Sequence, residues 1–200
     1  NTIYPHIDWK TIGSNGTQGH ISAVCRLLPE IGGNGSAYIT LEPSSFSILD
    51  SVWTISPARI SIASDGINMT PLEIRKDNQY ISLKHINTDN PSFLLTFNAL
   101  EVSHLQDLLN FHPVDFTGHL YGTAWIPSPK NNSPEITAQL KVNDFTFQDG
   151  DMGTLHVNAL FKTDQKKLFL DAITGTQGHD SLKIKGFVDI ADNSLQLHFK

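Results

Sequence analysis

Along most of this chain apolar and polar residues alternate one by one, a period of two that puts every second side chain on the same face of an extended strand. The second half shows it best. Leu120, Ala124 and Ile126 oppose His119, Tyr121, Thr123 and Trp125, and Ile136, Ala138, Leu140 and Val142 oppose Thr137, Gln139 and Lys141. Leu155, Val157, Ala159 and Phe161 then oppose His156, Asn158 and Lys162. Leu182, Ile184, Val188 and Ile190 oppose Lys183, Lys185 and Asp189, and Leu195, Leu197 and Phe199 complete the set. Strands of this kind are apolar on one face and wet on the other, the habit of antiparallel sheets.

Turn-forming clusters separate these series at 127–134, 148–153, 163–166, 175–180 and 191–194, which predicts a meander of short strands. Asp149-Gly150 and Asp192-Asn193 have the residue types that accept positive φ in tight hairpins. The first half repeats the pattern less regularly in Ala37-Ile39-Leu41, Ile60-Ile62, Leu72-Ile74, Ile81-Leu83 and Phe93-Leu95-Phe97. Pro43, Pro57, Pro71 and Pro91 stand at the ends of those series, where a missing backbone donor does least harm. One helix is predicted over 103–110, with Leu105, Leu108 and Leu109 as its apolar stripe, Ser103 and Gln106 as a capping box, and Pro113 beyond its end.

The bulk numbers narrow the function classes. The 200 residues carry 14 Lys and Arg against 20 Asp and Glu, a formal charge of -6, which argues against nucleic acid as a partner. A single cysteine, Cys25, permits neither an internal disulfide nor a cysteine metal cluster. No apolar run approaches the roughly 20 residues of a membrane-spanning helix. The chain opens without Met and closes on a strand-like series, which reads as a piece of a longer sheet whose cut edges invite edge-to-edge self-association. The string Gly-Thr-Gln-Gly-His occurs at 16–20 and again at 175–179, each time before a strand.

Catalytic patterns are missing. None of the nine histidines has the His-x-x-x-His spacing of a helical metal site, and His119 and His156 fall on polar strand faces, so neither a metal nor another cofactor is expected. The acidic turn at 148–153 lacks the distal bidentate Glu of a calcium loop. Gly32-Gly33-Asn34-Gly35 leads into a strand rather than the helix a phosphate cradle needs. There is no Gly-x-Ser-x-Gly elbow. A non-enzymatic binding or conduit module is the expectation.

Residues 100–200 carry a more specific pattern. A leucine-rich element, Glu101 to Leu109, precedes Gly118-His119-Leu120-Tyr121-Gly122-Thr123-Ala124-Trp125-Ile126, and a strand ending in Asp144-Phe145 follows. Gly153-Thr154-Leu155-His156-Val157 and Leu182-Lys183-Ile184-Lys185-Gly186-Phe187-Val188-Asp189-Ile190 complete the order. This half of the chain resembles the repetitive β-rich region of the TamB and AsmA-like envelope proteins of Gram-negative bacteria. The resemblance implies an open, U-shaped sheet with an apolar inner face, no catalytic residue, and a periplasmic location under a membrane anchor outside this chain. It also implies work in moving phospholipid between membranes, or in outer-membrane assembly with a barrel partner of the TamA type.

The expected organisation is a β-rich segment over 1–100 and a TamB-like segment over 101–200, forming one continuous sheet. The alternating apolar residues from Leu120 to Phe199 would line the groove and hold phospholipid acyl chains, while Lys and Asp keep the outer face soluble. The competing expectation is a β-sandwich binding module for carbohydrate or protein, with Trp53, Trp125 or Tyr121 as stacking platforms.

Overall fold

The computed structural model describes residues 1–11, 17–29, 35–48, 51–64, 66–88, 91–103, 115–128, 135–148, 150–175, 182–192 and 194–199; of residues 48, 195, 197 and 199 it describes the backbone. The fold is all-β, with antiparallel ladders forming open, curled sheets. Val102 and Ser103 are helical, and the remainder of the helix expected over 103–110 lies outside the described residues. So do most of the second Gly-Thr-Gln-Gly-His string, residues 32–34 of the glycine-rich stretch, and Asp149 and Asn193 of the expected hairpin turns.

Two compact units divide the chain, Asn1–Asn87 and Thr88–Lys200. The division falls before residue 100 because Ser92–Glu101 pairs along its length with Phe116–Pro127.

The first unit contains β1 (Thr2–Ile3), β2 (His6–Lys10), β3 (Gln18–Leu28), β4 (Ser36–Leu41), β5 (Ser44–Ile48), β6 (Ser51–Ile55), β7 (Ala58–Ala63), β8 (Gly66–Met69), β9 (Leu72–Lys76) and β10 (Gln79–Ile86). The first half of β3 pairs with β2 and β5, and its second half with β1 and β4. The order continues through β5, β6, β9 and β10 on one side and through β4, β7 and β8 on the other.

Around the continuous β3 and β10, four long strands are each interrupted once. Pro5 separates β1 from β2, Pro43 separates β4 from β5, Pro57 separates β6 from β7, and Pro71 separates β8 from β9. Proline has no N–H to give to a ladder, so the ladders part there. The interruptions lie side by side: Ala23 N donates to Pro5 O at 3.1 Å, Glu42 N to Ser22 O at 2.9 Å, and Ser56 N to Glu73 O at 2.8 Å. Hydroxyls take over the acceptor role along this line. Ser22 N donates to Ser44 Oγ at 3.2 Å, Glu73 N to Ser56 Oγ at 2.8 Å, and Arg59 N to Thr70 Oγ1 at 2.8 Å. Backbone donors that would cost about 1–3 kcal/mol each if buried without a partner are thereby satisfied.

The second unit is a meander of β11 (Ser92–Glu101), β12 (Phe116–Pro127), β13 (Glu135–Phe147), β14 (Gly150–Asp151), β15 (Thr154–Lys162), β16 (Lys167–Gly175), β17 (Lys183–Asp189) and β18 (Ser194–Phe199). No described residue of β18 pairs back onto β11, so the meander stays open. β16 stands between two expected turns where no strand was anticipated; its core, Leu168-Phe169-Leu170, is apolar on both faces and hides the period of two. Here long strands are bent by bulges instead of prolines. Ala99 and Asp144, both at φ 51, sit where the register shifts in β11–β12 and β12–β13. An extra residue in the left-handed region sharpens the local twist.

Candidate functional site

Antiparallel register decides which side chains share a face. In the second unit Leu95, Ala124, Ala138, Ala159, Leu170, Gly186 and Leu197 form one continuous row across seven strands. Beside it run Phe97, Gly122, Leu140, Val157, Ala172, Ile184 and Phe199. Leu100, Leu120, Val142, Leu155 and Thr174 form a third row, where Thr174 N donates to Leu182 O at 2.9 Å. Ile136, Phe161, Leu168, Val188 and Leu195 form a fourth on the other side, and Ile126 pairs with Phe93.

The apolar residues expected from Leu120 to Phe199 are thus brought onto one face, with one exception. Ile190 lies in the turn after β17 and is 53% exposed. Leu195, Leu197 and Phe199 hold their register positions on the same face. Strand β16 adds Leu168, Leu170 and Ala172, and β11 adds Phe93, Leu95, Phe97 and Leu100, all outside the expected groove set.

This face is lined but not covered. Leu120, Ala124, Val142 and Ala172 are buried, whereas Ile136, Leu140, Val157, Phe161 and Ile184 are only half-buried. Among the described residues no large side chain is fully buried. The row Ala124-Ala138-Ala159 is lower than its neighbours, so a shallow furrow crosses the strands between Leu140-Val157 and Ile136-Phe161. Close backbone approach accompanies it: Gly122 has φ 137, and a Cβ there would strike Gln139 O and come 2.8 Å from Leu140 Cα.

The opposite face carries apolar as well as charged residues. A row of Leu94, Trp125, Thr137, Leu160, Phe169 and Phe187 crosses it. Phe169 and Phe187 lie 5.9 Å apart, with Lys162 Nζ 6.0 Å above the first ring and Lys167 Nζ 5.0 Å above the second. Each ammonium thus faces a ring while it also pairs with a carboxylate, Lys162 with Glu135 and Lys167 with Asp189, both at 3.4 Å. Asp171 and Lys185, directly opposite, pair at 2.7 Å. A cleft of about 480 Å³ opens here between Leu160, Phe169, Phe187, Asp171, Lys185 and His198. His119 and His156 are exposed on polar positions, as their alternation indicates.

The first unit also has an apolar face. Ile21, Ile39, Ile55, Ile60, Ile74 and Ile81 lie on it together with the pair Phe46 and Trp53. Phe46 and Trp53 stack at 6.4 Å, Trp9 tilts against Phe46 at 6.5 Å, and the Trp9 ring occupies the space a Cβ on Gly19 would need. Trp53 is only 6% exposed, which removes it as a stacking platform for a sugar, while Trp125 is 44% exposed.

A polar cluster lies on the other face of β2 and β3. His6 Nε2 and Asp8 Oδ2 are 2.7 Å apart, and His20 Nδ1 and Asp8 Oδ1 are 3.0 Å apart. Ser22 Oγ lies 3.0 Å from His6 Nδ1 and 3.2 Å from His20 Nε2, and the two imidazoles meet edge-on at 4.5 Å. Hydrogen bonds, first from His20 and then from His6, hold the Asp8 carboxyl below its usual range. Helical spacing misses this group, because it depends on the strand step from His6 to Asp8 and on the register that sets Asp8 opposite His20.

No family model, curated protein or solved structure matches the chain.

Proposed function

We propose that the chain is a non-enzymatic conduit segment whose apolar face shelters lipid acyl chains, working in the periplasm as part of a TamB or AsmA-like envelope protein. The observation that carries the reading is the face from Leu95 to Leu197: apolar rows held in register across seven strands, with Ile136, Leu140, Val157, Phe161 and Ile184 left partly exposed. A sheet face of that extent normally lies against another layer of structure. An acyl chain is a suitable cover, since each methylene withdrawn from water contributes about 0.8 kcal/mol. The furrow over Ala124, Ala138 and Ala159 gives it a track, and side chains that offer no hydrogen bonds let it slide. Anchoring to the inner membrane and a barrel partner of the TamA type belong to the same proposal.

The test is native mass spectrometry with lipid extraction on the 200-residue chain purified from a bacterial host, paired with titration of a fluorescent fatty acid. Phospholipid should accompany the wild type. Leu140→Asp and Ala138→Trp, the first charging the face and the second filling the furrow, should each weaken fatty-acid binding about tenfold or more, as loss of about 1.4 kcal/mol or more would do. A wild type that carries no lipid and binds the probe no better than Leu140→Asp would overturn the reading.

A further inference from the structure

We propose that His6, Asp8 and His20 form a binding site for a first-row divalent cation of borderline softness, Zn2+ first among them, on the polar face of β2 and β3. The inference is independent of the lipid reading.

The donor set is two imidazole nitrogens and one carboxylate, the mixed N and O chemistry that suits Zn2+ and its neighbours rather than Ca2+ or Mg2+. One ligand atom from each of His6, Asp8 and His20 lies within 4.8 Å of the other two, and His6 Nε2 and His20 Nδ1 are the nitrogens that meet the Asp8 carboxylate, at 2.7 and 3.0 Å. Ligands about 2.0–2.2 Å from a tetrahedral Zn2+ stand roughly 3.3 Å apart, so small side-chain rotations suffice to admit the ion. The backbone already fixes the rest: His6 and Asp8 project from the same face of β2, and His20 is the direct cross-strand partner of Asp8.

Ser22 supplies the second observation. It is the cross-strand partner of His6, and its Oγ bonds the imidazole nitrogen of each histidine that faces away from Asp8. That is the outer-sphere arrangement by which a metal-binding imidazole is held in one tautomer and orientation. With the ion bound, His6 Nδ1–H and His20 Nε2–H both donate to the two lone pairs of Ser22 Oγ. The three ligand side chains are about half exposed or more, so the ion has free access and its remaining coordination positions face water. Bound there, it would staple β2 to β3.

Isothermal titration of the whole chain with Zn2+ should show one site. His6→Ala and His20→Ala should each abolish that site, and Ser22→Ala should weaken it about tenfold. His156→Ala, an exposed strand histidine of the second unit, should leave it unchanged. Circular dichroism checks that each variant keeps its strands, and Co2+ titration gives a second readout, visible absorption bands that vanish in His6→Ala. If the wild type and a His6→Ala/His20→Ala variant take up Zn2+ alike, the ion binds elsewhere among the nine histidines and the proposal is overturned.

Discussion

The two units bend the same kind of strand by opposite means. In the first, prolines cut the ladders along one line, and Ser44, Ser56 and Thr70 satisfy backbone donors beside the cuts. In the second, the ladders run on through β12 and β13, and the bends come from Ala99, Asp144 and Gly118, all with positive φ. The outer faces differ to match. The first unit presents His6, Asp8, His20, Ser45 and Thr54, whereas the second carries an aromatic row under a cover of lysines. The comparison teaches that a one-sided apolar sheet can be curled either by removing hydrogen bonds or by adding residues. The first route relies on polar side chains and the second on backbone strain.

The difference can be broken most severely at Gly122. Gly122→Val forces a β-branched residue into φ 137 and drives its Cβ into Gln139 O, so the second unit should lose about 3 kcal/mol or more. Hydrogen exchange should show β12 and β13 opening while β5 and β6 stay protected; equal loss in both units would mean that they unfold together. A smaller effect is expected at the proline line. Ser56→Ala leaves Glu73 N without its side-chain acceptor and should cost about 1–2 kcal/mol in urea denaturation, with faster exchange at Glu73. Smallest is the surface pair Asp171 and Lys185, both at least half exposed, whose double-mutant cycle should give a coupling of about 0.5 kcal/mol or less. A coupling above 1.5 kcal/mol there would assign the outer cleft a larger part in holding β16 to β17.

The strands and their apolar face were legible because alternation over Ile136–Val142 or Leu155–Phe161 admits one register once a face must be buried. β16 was not, since Leu168-Phe169-Leu170 is apolar at successive positions and matches no period. The prolines were read one at a time as strand ends. That Pro5, Pro43, Pro57 and Pro71 fall on a common line follows only from pairing between distant strands. The packing of Trp9 is hidden in the sequence for the same reason, as its partner Gly19 is set by the β2–β3 register. The groove residues could be listed from the sequence, but their rows, and the furrow made by three aligned alanines, could not.

The bulges at Ala99 and Asp144 have a consequence for how this chain tolerates insertion and deletion. Each changes the count by which residues are dealt to the two faces: Phe97 and Leu100 share a face though three residues apart, as do the buried Val142 and Phe145. Losing Asp144 would remove only the extra residue and leave Phe145 two places after Val142, on the same face, whereas losing one residue within 136–141 would exchange the faces on one side of the deletion, and losing a pair of neighbours there would leave odd and even unchanged. In such a wall a single deleted residue is a graver change than most substitutions, and parity is the property that its length must conserve.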